Sequence, residues 1–116
     1  MATLRGVLLM TRDVGAAVEF YSRGLGLGVV SHQPGNWAEL SGGPINVMIR
    51  QVDSEALRAT AYSPFLNFTV NDFDTTLYRL LGMGATLDGP VKHPHHGKVA
   101  ALRAPDGHMI GLQESQ

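Results

Sequence analysis

The sequence predicts an α+β fold built from two tandem β-α-β-β-β units. Unit one covers residues 1–51, a linker covers 52–62, and unit two covers 63–116, the whole forming a single domain. Three observations carry this. An apolar run, an acidic turn and a helical stripe closed by paired glycines occur twice: Leu4–Met10, Asp13 and Gly24-Leu25-Gly26, then Phe65–Val70, Asp72 and Gly82-Met83-Gly84. Short segments of β pattern follow each glycine pair, separated by Gly- and Pro-containing turns. With 116 residues, each half is too short to bury a core alone.

Gly6–Thr11 reads as a buried strand. Asp13 is placed to accept the orphan N–H groups of a helix's first turn. Val14, Ala17, Val18 and Tyr21 then follow at helical spacing as one apolar stripe. Gly24 is the expected left-handed residue after the helix. Strands are predicted at Leu27–His32, at Asn36–Leu40 after the Pro34-Gly35 turn, and at Ile45–Gln51 after Gly42-Gly43-Pro44. In the last of these, Ile45, Val47 and Ile49 alternate with Asn46, Met48 and Arg50, the period of a half-buried strand. Residues 52–62 are polar, Ala-rich and poor in β formers, and read as the linker, with a short helical turn at Ser54–Arg58.

Unit two repeats the order. Phe65–Val70 is a strand, Asp72 the cap, and Phe73, Leu77, Leu80 and Leu81 the helix stripe, ended by Gly82. Ala85–Leu87 is a short strand and Pro90–Gly97 a loop or broken strand holding His93, His95 and His96. Val99–Arg103 and Met109–Glu114 are strands joined by a tight turn at Pro105-Asp106-Gly107. Gly43 corresponds to Gly107, a longer step than the others, so about five extra residues belong to unit two, in the histidine loop.

Composition narrows the function. Net charge is −1 with no basic block, so nucleic acid and anionic membrane surfaces are not expected partners. No apolar run approaches the ~20 residues of a membrane helix. The N-terminal residues lack a basic-then-apolar leader pattern, and a cytoplasmic setting is expected. There are no cysteines, which excludes disulfides, thiolate nucleophiles and cysteine metal sites. No Gly-x-Ser-x-Gly elbow or phosphate loop occurs. Gly24-Leu25-Gly26-Leu27-Gly28 follows a helix instead of opening one, so a dinucleotide site fails on context.

Phe20-Tyr21 with Gly24-Leu25-Gly26-Leu27, and Ala104-Pro105-Asp106-Gly107-His108-Met109-Ile110 before the last strand, resemble the vicinal oxygen chelate superfamily. This group includes glyoxalase I, ring-cleavage dioxygenases, fosfomycin-modifying enzymes and bleomycin-resistance proteins. The resemblance spans nearly the whole chain. It implies that each unit curls a mixed sheet into half a cup with its helix outside, that the cup holds a ligand, and that the protein is a homodimer.

The resemblance also implies where a divalent cation would be held: by His, Gln or Glu on the first and last strand of each unit. Those positions are Gly6 and Phe65 on the first strands, Gly111 on the last strand of unit two, and Met48 on the last strand of unit one, or Asn46 if the register slips by two. Glycine and phenylalanine have no donor atom. The expectation is therefore no metal cofactor and no catalytic residues. The chain reads first as a binding protein for a small, partly apolar molecule. Strand alternation from those positions places Leu8 and Met10 with Gly6, Asn67 and Thr69 with Phe65, and Met109 and Gln113 with Gly111. Met48 and Trp37 complete the expected ligand-binding set, although Trp37 could equally fill the core or a dimer contact, and the methionines could fill core. Glu39, Arg50 and Arg103 lie inside strand patterns, and the sequence does not decide which way they point.

Two other readings stand beside this one. A relocated divalent-metal site built from His93 and His95 would make the protein a glyoxalase-type lyase, isomerase or dioxygenase. Against it, Pro90 and Pro94 break the segment and the loop is expected to be solvated; His96 would point away, and His108 belongs to its turn. A non-catalytic assembly scaffold is the third reading.

Overall fold

The computed structural model describes residues 4–53 and 64–115. Most of the expected linker, with its helical turn at Ser54–Arg58, lies outside the described residues. The chain divides into two compact units, Met1–Ala59 and Thr60–Gln116.

In the first unit, β1 (Gly6–Thr11) leads into α1 (Val14–Glu19), then β2 (Gly28–Gln33), β3 (Trp37–Ser41) and β4 (Asn46–Gln51). The sheet order is β1-β4-β3-β2, parallel between β1 and β4 and antiparallel elsewhere. α1 forms where predicted. Asp13 accepts a 3.1 Å hydrogen bond from the Ala16 N–H, and Gln51 Oε1 accepts one of 3.0 Å from Val14 N–H, tying β4 to the helix start. The stripe of Val14, Ala17, Val18 and Tyr21 is buried. α1 packs on β3 and β4, against Leu40, Val47 and Ile49. Burial of each such large side chain contributes about 1.5–3 kcal/mol.

The helix end differs from expectation. Phe20–Gly24 continue α1 as a π-helical turn. Gly24 is buried inside it, and the left-handed residue is Gly26, at φ 78°. The wider turn carries the chain past Gly24 before it can reverse. Within it the Phe20 and Tyr21 rings meet edge to face, with centroids 5.2 Å apart.

In the second unit, β5 (Phe65–Val70), α2 (Phe73–Gly82), β6 (Thr86–Leu87), β7 (Val99–Arg103) and β8 (Met109–Glu114) repeat the topology as β5-β8-β7-β6. Asp72 caps α2 by accepting from Thr75 N–H at 3.3 Å. Phe73, Leu77 and Leu80 are buried as predicted, while Thr76 takes a buried place and Leu81 is only half-buried. α2 keeps Gly82 as its last residue, and the left-handed position falls at Gly84, φ 101°, the counterpart of Gly26. β2, β3 and β4 each begin one residue later than predicted, as does β6, because hydrogen-bonded partners set strand ends. The turn before β8 is closed by Gly107 N–H to Ala104 C=O and Ala104 N–H to His108 C=O, both 2.8 Å.

Candidate functional site

Among the described residues, each sheet packs its own helix on one face, and the opposite face is termed the open face. In the first sheet, Leu9, Thr11, Val47, Ile49, Ala38 and Leu40 are buried on the helix side. Alternation and register put the intervening residues on the open face in rows: Met10, Arg50, Trp37 and Gln33; Leu8, Met48, Glu39 and Ser31; Gly6, Asn46 and Ser41. The four candidates expected in this unit, Leu8, Met10, Trp37 and Met48, therefore share one face. Trp37 is 39% exposed, so it is not core within its unit.

In the second sheet the corresponding rows are Phe65, Met109 and Arg103; Asn67, Gly111 and Ala101; Thr69, Gln113 and Val99. All six candidates of this unit lie in those rows. They are not equally accessible. Phe65, Asn67, Thr69 and Gln113 are exposed, whereas Met109 and Gly111 are buried. Arg103 reaches back to its own turn, where Nη1 donates to Gly107 C=O at 2.7 Å.

The four positions that the family resemblance assigns to metal ligands bring no oxygen or imidazole donor. Two of them are also sterically filled. A Cβ added at Gly6 would stand 2.6 Å from the Asn46 carbonyl oxygen and 3.1 Å from the Met48 methyl. A Cβ at Gly111 would fall on Asn67 Oδ1 and 3.0 Å from Phe65 Cε1. Among the described residues no three His, Asp or Glu side chains group together. His93, His95 and His96 are all exposed, on the loop between β6 and β7. That loop is held by a Lys92–Val99 bridge and a Gly97 N–H bond to Pro94 C=O.

His108 sits in its turn as the motif suggested. Its backbone N–H donates to Asp106 Oδ1 at 3.0 Å. Its Nδ1 lies 3.0 Å from Asp106 Oδ2, close enough to pair as an ion when the ring is protonated, but without hydrogen-bond geometry. Away from the open face, a hollow of about 420 Å³ in the first unit is lined by Arg12, Gly35, Gln51, Val52 and Asp53. Gln51 there is already committed to the start of α1.

Sequence reasoning left Glu39 undecided and did not single out Ser31 or Gln33. All three lie on the open face. The signal was the period-2 pattern of β2 and β3, which groups them with Trp37 once the buried set of Ala38 and Leu40 is known.

The topology and the Phe-Tyr and Pro-Asp-Gly-His motifs meet a direct match. The model of the glyoxalase/bleomycin resistance protein/dioxygenase superfamily fits residues 3–112. The chain belongs to this superfamily. Among solved structures it is similar to a superfamily enzyme from Burkholderia phytofirmans PsJN, at 20% identity over 99% of this chain and 100% of that one, TM-score 0.83. It is also similar to the bleomycin-binding protein of Streptomyces verticillus, solved with copper(II)-bleomycin, at 20% identity over 100% and 99%, TM-score 0.65. A fosfomycin resistance protein from Listeria monocytogenes superposes at TM-score 0.78 with 13% identity, over 100% and 95%. Such identities establish the fold, and superfamily members on this fold differ in activity. No curated protein is significantly similar to the chain. Among the described residues, no helix is long and apolar enough to cross a membrane.

Proposed function

We propose that this superfamily member binds a small, partly apolar molecule on the open faces of its sheets, without a resident metal ion. One observation carries this: donor positions are filled rather than merely empty. The Met48 methyl stands over Gly6, and the Asn67 amide and Phe65 ring stand over Gly111. A divalent cation needs oxygen or imidazole donors converging from several strands, and Gly6, Met48, Phe65 and Gly111 do not fit one. The same faces carry Trp37, Leu8, Met10 and Phe65, each more than a third exposed. Apolar groups left uncovered beside a few polar ones are the usual lining of a small-molecule site. Leu8, Met10, Trp37, Met48, Phe65, Asn67, Thr69 and Gln113 are the proposed contact residues, with Met109 and Gly111 as backing.

The test is a thermal-shift screen of aromatic compounds and antibiotics. A ligand present at about 100 times its Kd stabilises by about 2.7 kcal/mol, a rise on the order of 10 °C for a domain of this size. A broad library that produces no shift contradicts the proposal. So does stoichiometric Zn, Ni, Mn or Fe in protein purified without a polyhistidine tag, if the metal disappears in a His93→Ala/His95→Ala variant. The proposal includes both units acting in one domain, a homodimer, and a cytoplasmic location. Light scattering that finds a monomer at micromolar concentration contradicts the dimer.

A further inference from the structure

The open face of the first sheet holds one carboxylate in a fixed and half-satisfied state. Glu39 lies mid-strand in β3, between Ser31 of β2 and Met48 of β4, and is half-buried. Its Oε2 accepts a 2.6 Å hydrogen bond from Asn46 Nδ2. Its Oε1 has no partner among the described residues. A carboxylate partly withdrawn from water is costly unless its lone pairs are used. Asn46 uses one side and restrains the group, leaving the other oxygen for an incoming donor.

Trp37 lies two residues away on the same strand and face, about 7 Å along it. Its ring offers a stacking surface, and an indole face also attracts cations. By register the face carries one other charge, Arg50, opposite Trp37. Arg50 is exposed, and a long hydrated side chain at the surface can swing aside, where its interactions are weak. The restrained charge is the negative one. Building on the ligand-binding proposal above, we infer that this face selects aromatic molecules bearing a protonated amine, with the ring on Trp37 and the ammonium donating to Glu39 Oε1.

Trp37 is the only tryptophan in the chain, so its indole N–H gives a single reporter resonance in ¹⁵N-labelled protein. Tryptamine, tryptophol and indole-3-propionate share a ring system and differ in charge. Titrated one at a time against that resonance, tryptamine is expected to bind about ten-fold or more tightly than the other two, the usual margin of a charge-assisted hydrogen bond. Glu39→Gln should abolish the preference by weakening tryptamine far more than tryptophol, and Glu39→Asp should retain part of it. Equal affinities, tighter binding of the acid, or a preference that survives Glu39→Gln overturns the inference while the binding proposal stands. If none of the three moves the Trp37 signal, the inference is also overturned. The binding proposal is then decided separately by the thermal-shift screen.

Discussion

Gly6 on β1 and Gly111 on β8 both stand at positions that the resemblance assigns to donors, but they resist side chains for different reasons. At Gly6 the obstacle is backbone, the Asn46 carbonyl oxygen on the neighbouring parallel strand. At Gly111 it is the amide of Asn67, a side chain that can rotate. Gly6→Ala is therefore expected to cost about 1–3 kcal/mol of stability in urea denaturation, because the strand pair must shift. Gly28→Ala, where a Cβ meets nothing within 4 Å, should be nearly neutral. Gly111→Ala should destabilise in the wild-type background and much less with Asn67→Ala, a coupling that a double-mutant cycle reads directly. Additive effects at 111 and 67 would contradict the packing described. The sequence supplied the absence of donors at these positions. It could not supply the occupants, because Met48 over Gly6 and Asn67 over Gly111 depend on side-chain rotamers and strand register.

At the scale of elements, both helices rest on the same device, an aspartate cap followed by an apolar stripe. Asp13→Ala and Asp72→Ala should each cost about 1 kcal/mol, with Asn at either site nearly neutral, measured by the same denaturation. These elements were legible in sequence because a cap and a 3.6-residue period are local. The end of α1 was not. A π-helical turn breaks that period, so Gly24 looked like the stop and Gly26 is the residue with positive φ. The open faces were half legible. Alternation groups Trp37 with Glu39 and Ser41, but which group faces the helix is decided by the packing of Ala38 and Leu40. The histidine segment is legible as a loop or broken strand because Pro90 and Pro94 punctuate it, and a single bridge at Lys92 is all the β pairing it makes among the described residues.

For the molecule as a whole, the repeated topology is what the superfamily match and the structural similarities bear out, and the repeat was visible in the sequence as paired aspartates and glycines. Its function was less visible, because the fold supports both chemistry and simple binding. The proposal predicts that Trp37→Ala weakens ligand binding by about ten-fold or more with little change in folding stability, since the side chain is 39% exposed and lies off the helix-packed face. A large loss of stability would instead make Trp37 structural. The most direct test is a ligand titration followed by Trp37 fluorescence, using any hit from the thermal-shift screen, in the presence and absence of EDTA. The same Kd is expected under both conditions. Binding that vanishes with EDTA and returns with one equivalent of a divalent metal would contradict it.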